Sequence, residues 1–105
     1  MDSKVLQQNL LELIRRTSAE LPDDVKRAVD KGWRKETKGS SGKYALEVIR
    51  DNIGMAKVKS QPLCQDTGVI ICYVDLPTWL DEKTFRKAYD KAVVQATKVG
   101  YLRQN

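Results

Sequence analysis

A helix-rich α+β fold is predicted for this 105-residue chain: three helices, one central buried strand and one further helix. Three observations predict it. Four segments carry apolar residues at helical spacing. One continuous run, Val69-Ile70-Ile71-Cys72-Tyr73-Val74, has strand length and strand composition, and its continuity implies that both faces are covered. No second run of that kind exists, and a single strand is not a sheet. The strand therefore needs partners from elsewhere, and the chain stops just after a helix exit, where an α/β connection normally continues. Residues 1–105 are accordingly expected to be the incomplete N-terminal part of a larger α/β domain.

The first helix is expected over Val5 to Glu20. Leu6, Leu10, Leu13, Ile14 and Leu21 form one apolar stripe, and Ser3 is placed to cap its start. Arg15 and Arg16 suit the negative end of the helix dipole. Leu21-Pro22 breaks this helix and begins a second, with Asp23 and Asp24 in its first turn. Val25, Ala28, Val29 and Trp33 give that helix a narrower apolar face. Gly39-Ser40-Ser41-Gly42 reads as a loop. A third helix is expected from about Ser41 to Lys57, with Ala45, Val48, Ile49, Ile53 and Ala56 on one face. Asn52 stands at the edge of that face and reads as a surface residue. The strand runs from Gly68 to Leu76, with Cys72 read as core. Asp81 can cap a last helix from Glu82 to about Val99. Phe85, Ala88, Tyr89, Ala92, Val93, Ala96 and Val99 share its apolar face, whose small residues allow close packing. Gly100 ends it.

Composition narrows the classes of function. Charged residues make up 31% of the chain, which leaves room for only a modest core. No apolar run approaches the roughly 20 residues of a membrane span. The N-terminal segment, with Gln7, Gln8, Asn9 and Glu12, lacks the uninterrupted apolar stretch of a signal peptide, so a cytoplasmic location is expected. Two cysteines are few for a secreted disulfide scaffold, and without histidine they cannot complete a four-ligand zinc site of Cys and His. The formal charge is +5, with Lys26, Arg27, Lys31, Arg34, Lys35, Lys38 and Lys43 inside one segment. Such a face can bind nucleic acid, attract anionic substrates or be a solvated helix surface, the last being commonest. Asp30 and Glu36 interleave with it, and no nucleic-acid-binding or P-loop pattern accompanies it. A non-enzymatic basic binding or assembly module is the alternative to the enzyme reading below.

Chemistry concentrates in Gln61-Pro62-Leu63-Cys64-Gln65-Asp66-Thr67-Gly68. A soft nucleophile and metal ligand, a neutral amide and a carboxylate stand side by side on a tight turn ahead of the apolar run. Pro62 fixes φ and discourages helix before it, and Gly68 permits backbone conformations that other residues resist. Pro, Asp, Thr and Gly are also ordinary turn residues, and Cys64 could be a small buried hydrophobe. Asp66-Thr67-Gly68 matches the tripeptide of aspartic proteases, but that fold is almost wholly β, whereas three predicted helices precede the tripeptide here.

The turn followed by an apolar strand resembles the cluster-binding turn of class I fumarases, the iron–sulfur hydro-lyases that include the tartrate dehydratases. The resemblance spans about residues 21–103. Leu21-Pro22-Asp23-Asp24-Val25 resembles the family's early helix start. The helix holding Leu46, Ile49, Asn52 and Ala56 resembles its Asn-bearing helix ahead of the turn. Gly100-Tyr101-Leu102-Arg103 resembles the start of a later Leu-Arg motif. The resemblance implies that Cys64 is one of three thiolate ligands of a 4Fe–4S cluster. It implies that Gln65 and Asp66 contact a dicarboxylate substrate, that Asp66 also joins the acid–base arrangement by orienting a histidine, and that Arg103 pairs with a substrate carboxylate. The implied reaction is reversible hydration of fumarate to malate, or dehydration of tartrate. Two further cluster cysteines, the acid–base histidine and a second domain or β subunit lie outside these residues, so the chain alone is expected to be inactive.

Overall fold

In a computed structural model that describes residues 2–64 and 69–103, the described residues form four α-helices packed as two pairs. Helix α1 spans Ser3–Ala19, α2 Asp23–Lys35, α3 Ser41–Lys59 and α4 Glu82–Lys98. α1 packs along α4, α2 packs along α3, and α3 also touches α1. The result is elongated, 56 × 27 × 21 Å.

Local chemistry explains where the helices start and stop. Asp2, rather than Ser3, caps α1: its side chain accepts from the Lys4 N–H at 3.1 Å, and Ser3 becomes the first helical residue. Pro22 occupies the N-cap of α2 without a side-chain bond, and Asp23 and Asp24 place negative charge on the first turn. Ser40 caps α3 through the Lys43 N–H at 3.1 Å, so Ser41 and Gly42 belong to the helix and the expected loop is shorter. Asp81 caps α4 through the Thr84 N–H at 2.7 Å. Gly100, at φ +87°, ends α4 in the left-handed conformation that glycine tolerates. The following amides turn back, Tyr101 N–H to Ala96 O at 2.9 Å and Gly100 N–H to Thr97 O at 3.3 Å, the pattern of a Schellman closure.

The core lies between α1 and α4. Leu6, Leu10 and Ile14 meet Ala88, Ala92 and Ala96, and Leu80, Phe85, Tyr89 and Leu102 pack around them. Ala92 and Ala96 have no exposed surface. Alanines four apart form a ridge without long side chains, so the two backbones can approach closely. Ile53 and Ala56 are the buried residues of α3, and α2 buries none completely. Trp33 joins α2 to α3: Lys43 Nζ lies 4.2 Å and Arg50 Cζ 4.3 Å from its ring centre, and Arg50 Nε reaches Asp30 Oδ1 at 2.7 Å.

The expected α+β class with a central buried strand is overturned: the described residues contain no strand and no sheet. Residues 69–76 lie as irregular backbone, and most of their side chains are exposed, with Tyr73 at 95% and Val69 at 88%. Cys72, expected in the core, is exposed as well. The physical reason is that a strand is defined by its ladder partner, and the helices on either side of this run offer no open edge.

Two substitutions separate helix propensity from packing. Nothing lies within 4 Å of a Cβ added at Gly54, inside α3. Gly54→Ala is expected to raise stability by about 1 kcal/mol. Ala92→Leu is expected to lower it by about 1–3 kcal/mol by forcing α4 away from α1. Urea unfolding followed by circular dichroism measures both.

Candidate active-site turn

The turn that carries Cys64 is set by the end of α3. Ser60 adopts the left-handed conformation, φ 51° and ψ 48°, which reverses the chain after Lys59. The Ala56 carbonyl then accepts from the Ser60 N–H and from the Gln61 N–H, the latter at 3.1 Å. A non-glycine residue in this region is under mild strain and needs support. Arg15 of α1 supplies some, donating from Nη1 to Ser60 Oγ at 3.4 Å. Its fork is held in turn by Glu12, with Nη2 to Oε1 at 2.7 Å and Nε to Oε2 at 2.9 Å, and by Glu20 Oε2 at 3.0 Å. The Arg15 and Arg16 guanidiniums pull the Glu12 carboxyl down from 4.5 to about 2, and Glu12 pushes Arg15 up.

Leu63, directly before Cys64, is tied to two helices. Its N–H donates to Ser18 O at 2.9 Å, a carbonyl of the last turn of α1 that the helix itself leaves without a partner. Its carbonyl accepts from Asn52 Nδ2 of α3 at 2.7 Å. Cys64 follows, exposed, at the rim of a cavity of about 800 Å³. Leu10 and Ile14 of α1, Phe85 and Tyr89 of α4, residues 69–75 and Leu102 line that cavity. Burial is the main cause that pushes the Tyr89 phenol above its usual value, and a hydrogen bond with Cys72 adds to it.

Cys64 therefore follows a residue tied to α1 and α3, at a cavity lined by α1 and α4. Arg103 is exposed and follows Leu102, which lines the cavity, but it is not itself a lining residue. Gln65 and Asp66 lie outside the described residues. Among the described residues no three Cys, Asp or Glu side chains converge on a metal position. The fastening residues Asn52, Ser18 and Arg15 were not read from the sequence as parts of the site. The signals at Asn52 were its place beside an apolar helical face and the resemblance of its helix to the family's Asn-bearing helix, and nothing local pointed it at Leu63.

With this geometry in place, comparison with known proteins places the chain in a family. A family model described as "Fumarate hydratase (Fumerase)" matches residues 7–105. The chain belongs to this family. It is 37% identical over 100 residues to "Putative fumarate hydratase class I" of Geobacillus stearothermophilus, covering 95% of this chain and 20% of that protein. It is 33% identical over 99 residues to "Putative L(+)-tartrate dehydratase subunit alpha" of Methanocaldococcus jannaschii, covering 91% of this chain and 34% of that protein. The chain thus spans between a fifth and a third of the length of these relatives.

Acid should loosen both the Arg15 junction and the start of α4. The Glu12 carboxyl is held down to about 2, and the Asp81 carboxyl is held below 3.8 chiefly by the Thr84 amide. Folded values below the unfolded ones mean that both contribute stability above their ordinary range, lost as pH falls through it toward 2. Helical circular dichroism should decline between about pH 4.5 and pH 2, and Glu12→Gln should flatten the upper part of that decline. High salt should reduce the difference between the two proteins, because these carboxylates are exposed.

Proposed function

We propose that this chain forms the cysteine-bearing part of an iron–sulfur hydro-lyase that reversibly hydrates fumarate to malate or dehydrates tartrate. Family membership supports the reaction class, and one geometric observation carries the local reading. An exposed thiol, on a turn fastened to two helices, stands beside a cavity lined by α1 and α4.

The donor set fits one corner of a cluster and not a whole one. Cys64 supplies a single thiolate, and the remaining ligands come from residues beyond this chain. When bound, a 4Fe–4S cluster with one iron free of protein ligands supplies a Lewis acid for the substrate hydroxyl. The chain's own residues do the positioning. Gln65 and Asp66 follow the cysteine in sequence and would contact the dicarboxylate. Asp66 would also orient a histidine from elsewhere, since this chain contains none. The Arg103 guanidinium, a planar fork, would pair with a substrate carboxylate and hold it beside the cavity mouth. The rest of the α domain and a β subunit or domain would complete the enzyme, and the 105 residues alone would be inactive.

In the basic segment, Lys43 lies over the Trp33 ring and Lys26 is 4.0 Å from Asp23, and no specific observation favours the basic binding or assembly module as a second reading.

The test is anaerobic hydration of fumarate, and dehydration of tartrate, by the full-length protein containing this segment. Wild-type protein should hold iron and sulfide and turn over one of the two acids. Cys64→Ser should lose the cluster absorbance and at least about 100-fold in rate. Equal rates in the two proteins, or turnover by the isolated 105 residues, would overturn the proposal.

A further inference from the structure

We propose that Asn52 is a positioning residue for Cys64, acting through the peptide bond that leads into the cysteine. This rests on the reading of Cys64 as a cluster ligand and extends it to a residue with no expected part in the chemistry.

The argument begins with the bond itself. Asn52 Nδ2 lies 2.7 Å from the Leu63 carbonyl oxygen, at the short end for an N–H donor. That oxygen belongs to the planar group joining Leu63 to Cys64. Holding it in space therefore fixes the Cys64 nitrogen and Cα as well. The Leu63 N–H is held to Ser18 O at 2.9 Å, so both backbone polar groups of the preceding residue are pinned, one to α3 and one to α1. The torsions of Cys64 itself then set where the sulfur lies.

The donor sense is unambiguous, because a carbonyl only accepts. An Asp at position 52 would have the same shape but would turn a carboxylate oxygen toward the carbonyl instead of a donor. The position also separates positioning from stability. Asn52 is exposed on a 19-residue helix, where asparagine is a poorer helix former than alanine. Helix stability alone would favour Ala there. The buried residues of α3, Ile53 and Ala56, fasten the helix without it.

The experiment uses the full-length protein containing this segment, as wild type, Asn52→Asp and Asn52→Ala. Three quantities are read: thermal midpoint, lifetime of the cluster absorbance under a chelator, and, in the cluster-free protein, alkylation of Cys64 by iodoacetamide followed peptide by peptide. Both variants are expected to keep a midpoint close to wild type. Both should lose the cluster about ten-fold faster or more, the scale set by groups that orient metal ligands. Both should alkylate Cys64 at a changed rate, with Asp no better than Ala. Wild-type cluster lifetime and wild-type alkylation in Asn52→Asp would overturn the inference while leaving the hydro-lyase reading intact. A wild-type protein that binds no cluster would overturn the hydro-lyase reading. Alkylation would then still decide whether Asn52 holds the turn, an unchanged rate in both variants counting against it.

Discussion

The close approach of α4 to α1 is the constraint on which the rest depends. Ala88, Ala92 and Ala96 present a smooth ridge to Leu6, Leu10 and Ile14. Among the described residues no large side chain is completely buried. The stabilisation therefore comes from many partly covered apolar groups along one seam, each contributing in proportion to the area it loses to water. Anything that widens the seam withdraws all of them together. The seam also fixes the position of α1, and α1 is the element to which the cysteine turn is fastened.

Fastening takes place at the C-terminal end of α1, where the last carbonyls of a helix need partners from outside. Ser18 receives Leu63 there, and Arg15 reaches Ser60 from the same end. α3 answers with Asn52. A turn that would otherwise be a loose loop is thus held between two helices that scarcely touch elsewhere. The second pair, α2 and α3, is joined differently. Lys43 and Arg50 lie against Trp33 and Arg50 pairs with Asp30, so part of the basic segment is structural cement between helices. A run of like charge in a sequence does not reveal how much of it is committed inward.

Helix content was legible because its causes are local. Apolar spacing, Asp81 as a cap and Gly100 as a terminator all act within a turn or two of themselves, and all four helices formed near their expected bounds. The shift from Ser3 to Asp2 at the first cap reflects a choice between two competent neighbouring side chains. The strand was misread for the opposite reason. Val69 to Val74 has the side chains of a strand, but a ladder belongs to two segments, and side-chain composition describes only one. The same limit applied to the faces of the helices. Val48 and Ile49 share the apolar stripe of α3, yet they are half exposed, and only Ile53 and Ala56 of that helix are buried.

By itself, then, the order of residues determined the four helices to within about two residues, and the family, since periodicity, capping and a run such as Pro62-Leu63-Cys64 are properties of neighbours along the chain. Tertiary structure alone decided that the apolar run has no ladder among the described residues, that the residue before Cys64 is pinned by Asn52 and Ser18, and that Arg15 supports the reversal at Ser60. Each of these is a contact between groups brought together by a change of direction in the chain. The left-handed turn at Ser60 and the crossing of α1 with α3 create those contacts, and neither leaves a periodic signal in the sequence.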